Sequence, residues 1–261
     1  MLEIELSLIL IMAGVALLAG FFDAIAGGGG LITLPALLLG GIDPLVAIAT
    51  NKFQAASATV SATAAFARKG MIEWRSGLPM AAMAFVGGAL GALSVNLIPR
   101  AVLEALVPVL LIGVAIYFAL SPKLSNDERR AKLPAVVFCL TLAPLIGFYD
   151  GVFGPGVGSF FMVAFVLVMG QGILRAVCNS KLLNASCNLG SLAVFAMMGN
   201  ILLPLALAMA GGAFVGAQLG ARCAVRFGPR LIKPLLIGVC CLMAGKLLLA
   251  PGGLWHGLLL D

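Results

Sequence analysis

Apolar runs of about twenty residues alternate with short polar breaks along this chain, and the runs come in the same order twice. The first covers residues 6–39 and is interrupted by Gly27, Gly28, Gly29 and Gly30. A membrane-crossing helix needs roughly 20 apolar residues, so this run is too long for one crossing. Runs at 45–67, 78–98 and 102–120 follow, then a polar loop at 121–132. A second long run, 133–169, is interrupted at Gly154-Pro155-Gly156, and three more follow at 174–198, 201–221 and 231–250. Each interrupted run predicts a helical hairpin, because its two ends must emerge on one side of the bilayer. The pattern therefore predicts about ten helical pieces, the first two of each half paired, and about seven to nine spans in a conventional count.

The two halves also share local sequence. Phe21-Phe22-Asp23, leading to the four glycines, returns as Phe148-Tyr149-Asp150, leading to Gly154-Pro155-Gly156, 127 residues later. Thr50-Asn51-Lys52 matches Asn179-Ser180-Lys181, Gly87 and Gly91 match Gly216 and Gly220, and Pro99-Arg100 matches Pro229-Arg230, at an offset near 129. A constant offset through anchors of different chemistry marks an internal duplication. The halves divide as 1–120, a linker at 121–132, and 133–261.

Charge sets their relative orientation. Arg68, Lys69 and Arg75 follow the second run, whereas its counterpart, Gly199-Asn200, is uncharged. Only Arg100 follows the third run, whereas Arg222, Arg226, Arg230 and Lys233 follow its counterpart. Glu3 and Glu5 precede the first half; Lys123, Arg129, Arg130 and Lys132 precede the second. Basic loops face the cytoplasm, so equivalent loops lie on opposite sides and the repeats are inverted. Inverted repeats are a signature of secondary transporters, which bind substrate near the bilayer midplane.

Composition narrows the class. The chain of 261 residues is 62% hydrophobic and 10% charged, with a mean hydropathy of +1.16, against roughly 25% charged in a soluble domain. The net charge of +6 sits in short loops, which argues against nucleic acid. The acidic N-terminus lacks the positive start of a secretory signal, so the first helix is expected to be retained. Cys139, Cys178, Cys187, Cys223, Cys240 and Cys241 lack metal-ligand spacing and read as small core residues without disulfides. His256 beside Trp255, and Glu73-Trp74-Arg75, read as interfacial. No GxSxG, HExxH or P-loop pattern is present, so neither an enzyme nor a cofactor or metal site is expected.

The candidate chemistry is at the breaks. Gly27, Gly28, Gly29 and Gly30 leave bare amides before Leu31-Ile32-Thr33, and the break at Gly154, Pro155 and Gly156 does the same at Val157-Gly158-Ser159. Free amides at a helix N-terminus make an anion site. Lys52 and Lys181 lie roughly 10–12 Å along their helices and could snorkel to the interface. Polar neighbours argue instead for a site: Asn51 and Gln54 near the first, Ser180, Asn184 and Asn188 near the second, and Asn184 and Asn188 share one face with Lys181. Asp23 and Asp150 could pair with the lysines, cap the half-helices or relay a proton.

The stretches GFFDAIAGGGGLITLPALL and ATNKFQ, then GFYDGVFGPGVGSF and NSKLLNASCNLGS, resemble the sulfite exporter TauE/SafE family over nearly the whole chain. That resemblance implies a multi-pass permease of the bacterial inner membrane that moves small sulfur-containing anions such as sulfite or organosulfonates. It places the family's glycine turns on Gly27–Gly30 and Gly154–Gly158, and its polar helix starts on Asn51-Lys52 and Ser180-Lys181. The expected protein is an all-α membrane protein of two inverted repeats, each a broken-helix hairpin followed by three transmembrane helices. Its expected partners are the lipid bilayer, an anionic substrate and a coupling proton or sodium ion, with homodimer formation open. A passive anion channel and a non-transporting assembly subunit are the competing readings.

Overall fold

The computed structural model describes residues 6–95 and 128–228, with single positions at 97, 116, 234, 235, 237, 238 and 241. Apart from those single positions, the pieces expected at 102–120 and 231–250 lie outside the described residues. So do Glu3, Glu5, most of the 121–132 linker, Pro99-Arg100, Pro229-Arg230, Lys233, Cys240, Trp255 and His256. Among the described residues there are nine helices and no strand. They are α1 Leu6–Ala26, α2 Gly29–Leu39, α3 Pro44–Ala67, α4 Trp74–Leu93, α5 Ala135–Leu140, α6 Leu142–Val152, α7 Val157–Leu167, α8 Ile173–Met198 and α9 Leu203–Phe227. The five described cysteines are free, and no described cluster has the makings of a metal site.

Both long runs break where the glycines predict. The α1–α2 pair closes as a hairpin: a Cβ built on Gly40, after α2, would meet Leu8 Cδ1, near the start of α1, at 3.4 Å. The second hairpin is closed by backbone bonds, Arg129 N to Gly170 O (2.7 Å) and Lys132 N to Val168 O (2.8 Å). The sequence pattern missed one further interruption, at Thr141. Pro144 has no N–H to give the Leu140 carbonyl and its ring crowds that carbonyl, which ends α5. The Thr141 hydroxyl donates to Val137 O at 2.6 Å, beside the Thr141 N–H, which bonds the same carbonyl at 3.0 Å. Two boundaries also move: Trp74 and Arg75 open α4, and α9 runs on to Phe227, so that Arg222 and Arg226 are helical.

The helices pack in the order α1, α9, α3, α8, α4, α6. Each half thus inserts its last described helix between two helices of the other. Small residues make this possible, since without a hydrophobic driving force helices in lipid gain by close backbone approach. A Cβ on Gly216 of α9 would lie 1.9 Å from Leu17 O of α1, and one on Gly220 would lie 2.3 Å from Phe21 O. The equivalent glycines of α4 do the same against α6: Gly87 against Pro144 O at 2.2 Å, Gly91 against Phe148 O at 2.1 Å. Partner residues, like the glycines, recur at the repeat offset.

Four stretches are long and apolar enough to cross a membrane: Leu6–Ala26, Trp74–Leu93, Ala135–Val152 and Leu203–Phe227. Their outer faces carry exposed Leu10, Leu18, Phe85, Leu90, Leu145, Leu207 and Phe214, which only lipid would solvate favourably. Helices α3 and α8 are as long but more polar, and they form the centre. Several of their hydroxyls are glue. Ser57 Oγ donates to Ala210 O (2.9 Å), Ser61 Oγ to Phe214 O (2.8 Å), and Thr59 and Thr63 bond back into their own helix.

Candidate functional site

The two breaks meet in the middle of the bundle. A Cβ on Gly27 would fall 2.4 Å from Gly158 C, and one on Gly30 would fall 3.9 Å from Pro155 Cα. Gly27 has φ +74°, in the left-handed region that only glycine adopts readily, so both its conformation and its contacts exclude a side chain. Ser159 clasps the two breaks, its hydroxyl donating to Ala26 O at 2.9 Å and also to Gly27 O.

Around this meeting point stand four buried charges, paired across the halves. Lys181 Nζ of α8 lies 2.9 Å from Asp23 Oδ2 of α1, and Lys52 Nζ of α3 lies 2.8 Å from Asp150 Oδ1 of α6. Both lysine side chains are 1% exposed, so neither reaches for the membrane surface. Such a pair survives burial only where close geometry and further hydrogen bonds offset lost hydration. Asp23 has those bonds: Gly28 N and Gly29 N donate to its Oδ1 at 2.9 and 3.1 Å, capping α2. Two of the glycine amides expected to face an anion are therefore engaged by a carboxylate of the chain itself. Lys52 also donates to the Asp150 carbonyl.

The residue before each Asn-Lys or Ser-Lys pair reaches across as well. Thr50 Oγ1 accepts from Leu202 N (3.2 Å), and Asn179 Oδ1 accepts from Glu73 N (3.4 Å), a contact at the repeat-equivalent position. Helix α3 thus begins beside the end of α8, and α8 begins beside the chain that follows α3. At that second end Arg175 meets Glu73 at 2.9 Å and also pairs with Glu128.

Between the breaks is a cavity of about 20 Å³, room for a water molecule. It is lined by Asp23, Gly28, Gly29, Gly30, Asn51, Lys52, Asp150, Gly154, Gly156, Gly158, Asn184 and Asn188 from the predicted set. Gly27, Pro155, Ser180 and Lys181 stand behind it: Ser180 bonds Val177 O at 2.8 Å, and Lys181 Nζ would lie 3.1 Å from a Cβ on Gly158. Gln54, Thr59 and Val157 join the lining. Thr33 was missed as a site residue; its hydroxyl contacts Asn51 Oδ1 and, at 3.4 Å, Gln54 Oε1, so α2 orients the amides of α3. On the other side Asn188 Nδ2 donates to Asn184 O and Oδ1, both at 2.8 Å. Tyr149, whose hydroxyl donates to Pro155 O at 2.8 Å, braces the second break. Thr33 and Tyr149 were visible as polar groups in apolar runs, but their partners lie across turns whose shape the sequence does not specify.

A lipid-facing helical bundle with broken helices meeting at a buried, charged, polar cavity defines a multi-pass membrane transporter. The family model for "Sulfite exporter TauE/SafE" matches residues 12–247. The "Probable membrane transporter protein ORF9" of a Sinorhizobium species is 48% identical over 236 residues, covering 90% of this chain and 90% of its own length. The "Probable membrane transporter protein YfcA" of Escherichia coli K12 is 42% identical over 234 residues, covering 90% and 87%. A "Probable membrane transporter protein" of Haemophilus influenzae is 38% identical over 250 residues, covering 96% and 98%. No solved structure matches. The chain belongs to the sulfite exporter TauE/SafE family.

Proposed function

We propose that this chain is a secondary transporter that moves small sulfur-containing oxyanions, such as sulfite or organosulfonates, across the bacterial inner membrane, and that it is not an enzyme. The observation that carries the reading is the cavity between the two breaks, where two half-helix N-termini, Lys52 and the carboxamides of Asn51 and Asn184 converge. The helix N-terminal dipoles favour negative charge, and with the Gly28 and Gly29 amides held by Asp23 the Lys52 ammonium and the Asn51 and Asn184 carboxamides carry the binding of an oxyanion. The remaining proposed binding groups are Gly27, Gly28, Gly29, Gly30, Gly154, Pro155, Gly156, Gly158, Ser180, Lys181 and Asn188, with Asp23 and Asp150 as structural or coupling groups. At about 20 Å³ the cavity is closed down, so loading requires the halves to part.

The halves, 1–120 and 133–261 with a cytoplasmic linker at 121–132, are read as inverted-topology repeats. Three kinds of contact support this: the crossed ion pairs, the glycine contacts that recur at the repeat offset, and the opposed courses of α3 and α8. Arg68 and Lys69 precede the stretch 70–73 that meets Gly172 and Arg175, and Arg129 and Lys132 bond Gly170 O and Val168 O, so these cations with Arg130 mark one end, read as the cytoplasmic one. Alternating access follows as rocking of one half against the other, driven by a proton or sodium gradient.

The test is flux in proteoliposomes. Purified protein should accumulate radiolabelled sulfite, thiosulfate or sulfoacetate against a concentration gradient when an ion gradient is imposed. Downhill flux alone would identify a passive anion channel, and no flux of any of these would identify a non-transporting subunit.

A further inference from the structure

Asp23 and Asp150 stand at equivalent places, but they are held differently. Asp23 has both oxygens engaged, Oδ1 by the Gly28 and Gly29 amides and Oδ2 by Lys181. Asp150 Oδ1 meets Lys52, whereas Oδ2 has no hydrogen-bond partner, the one such buried side-chain atom among the described residues. The Asp150 side chain is 2% exposed, and it lines the cavity with Gly154, Asn184 and Asn188. A buried, charged acceptor left bare is costly, and a proton on it removes the charge and leaves an O–H that can donate into the cavity.

We propose that Asp150 is the residue that takes up the coupling proton, and that its protonation turns Lys52 over to the substrate anion; this rests on the transporter reading above. With both pairs intact the two lysines and two aspartates sum to zero, so an arriving anion meets no net side-chain charge. A proton from solvent adds to Asp150 Oδ2, forming one O–H bond and leaving a neutral acid. The Lys52 ammonium then lacks its counter-charge, and the oxyanion supplies one. Release runs in reverse, so one proton travels with each anion bound. Asp23 is poorly placed for this, because a proton there would face amide or ammonium donors.

The groups facing Asp150 are few. Lys52 comes from α3, and Cys187 comes from α8, its thiol beside the Asp150 carboxylate and its Sγ also bonded to Asn184 O at 3.3 Å. Tyr149 lies on the same helix with its hydroxyl on Pro155 O, and Asp23, paired with Lys181, acts from across the cavity. Arg75, the one ionisable residue of α4, is at that helix's first turn, and α7 has none.

The test is calorimetric titration of the purified full chain with thiosulfate and with methanesulfonate, both fully ionised between about pH 5 and pH 8, in buffers of different ionisation heat. The expected result is about one proton taken up per anion bound, for thiosulfate as for methanesulfonate, and a Kd rising about tenfold per pH unit on the alkaline limb. Asp150→Asn, which mimics the protonated acid, should bind with pH-independent affinity and take up no proton. Binding by the wild type without proton uptake, or uptake retained in Asp150→Asn, overturns the proposal while leaving the transporter reading intact. Should Asp150→Asn fail to fold, the wild-type proton count decides. Absence of binding of these anions and of sulfite, sulfate, taurine and sulfoacetate overturns both.

Discussion

At the first break, backbone presses on backbone. A Cβ on Gly27 would lie 2.4 Å from Gly158 C and 2.5 Å from Ser159 N, and Asp23 is tied to two amides and a lysine. At the second, Gly154 faces the Lys52 ammonium, 2.7 Å from where its Cβ would stand, and Asp150 keeps one oxygen unbonded. The two breaks share a sequence pattern but differ in what surrounds them: Gly27 meets backbone, whereas Gly154 meets a lysine end. Polar residues on the central helices differ too: Asn51 and Gln54 serve one side, Asn184 and Asn188 the other, and these are not repeat-equivalent pairs.

The largest effect expected to sharpen this contrast is on charge. Breaking a buried pair from one side costs about 3–5 kcal/mol, so Lys52→Met should lower stability by that amount at alkaline pH. Lys181→Met should cost roughly half as much, because Asp23 keeps the Gly28 and Gly29 amides. Thermal unfolding in detergent measures both, and equal losses would break the contrast. Next come the glycines. Gly27→Ala combines positive-φ strain with backbone overlap, about 2–4 kcal/mol. Gly154→Ala, with φ +95° and a side-chain end, the Lys52 ammonium, as its nearest neighbour, should cost less than Gly27→Ala, about 1–3 kcal/mol. Tyr149→Phe removes one hydrogen bond at the second break, about 1 kcal/mol by the same assay. Smallest is Arg175→Gln, within about 1 kcal/mol, since its pairs with Glu73 and Glu128 are well exposed.

Much of the fold was legible because lipid imposes strong rules. Apolar length located α1, α3 and α8 to within a residue or two, and the glycines located both breaks. The interruption at Thr141 escaped because hydropathy does not register a proline effect acting one turn upstream. Lys52 and Lys181 were legible as buried cations by depth and repetition, and pairing with the aspartates stood among the options. The crossed partner choice depends on how the halves interleave, which no local pattern encodes. Polar residues on α3 looked uniform in sequence, yet Ser57, Ser61 and Thr63 bond helix carbonyls while Asn51 and Gln54 turn to the cavity. The asymmetry between Asp23 and Asp150 was hidden for a similar reason, since it depends on the turn geometry that delivers Gly28 and Gly29 amides to one carboxylate only.

The central claim is that an oxyanion binds between the breaks by means of the paired lysines. Removing both members of a pair leaves no orphaned charge, so Lys52→Gln with Asp150→Asn should fold with a thermal midpoint near that of the wild type. The direct measurement is the affinity of this double variant for thiosulfate. Losing a hydrogen bond to a charged group, about 1.5–3 kcal/mol, predicts affinity weaker by on the order of 10- to 100-fold. Wild-type affinity in the folded double variant would contradict the account and leave Lys52 and Asp150 as scaffolding.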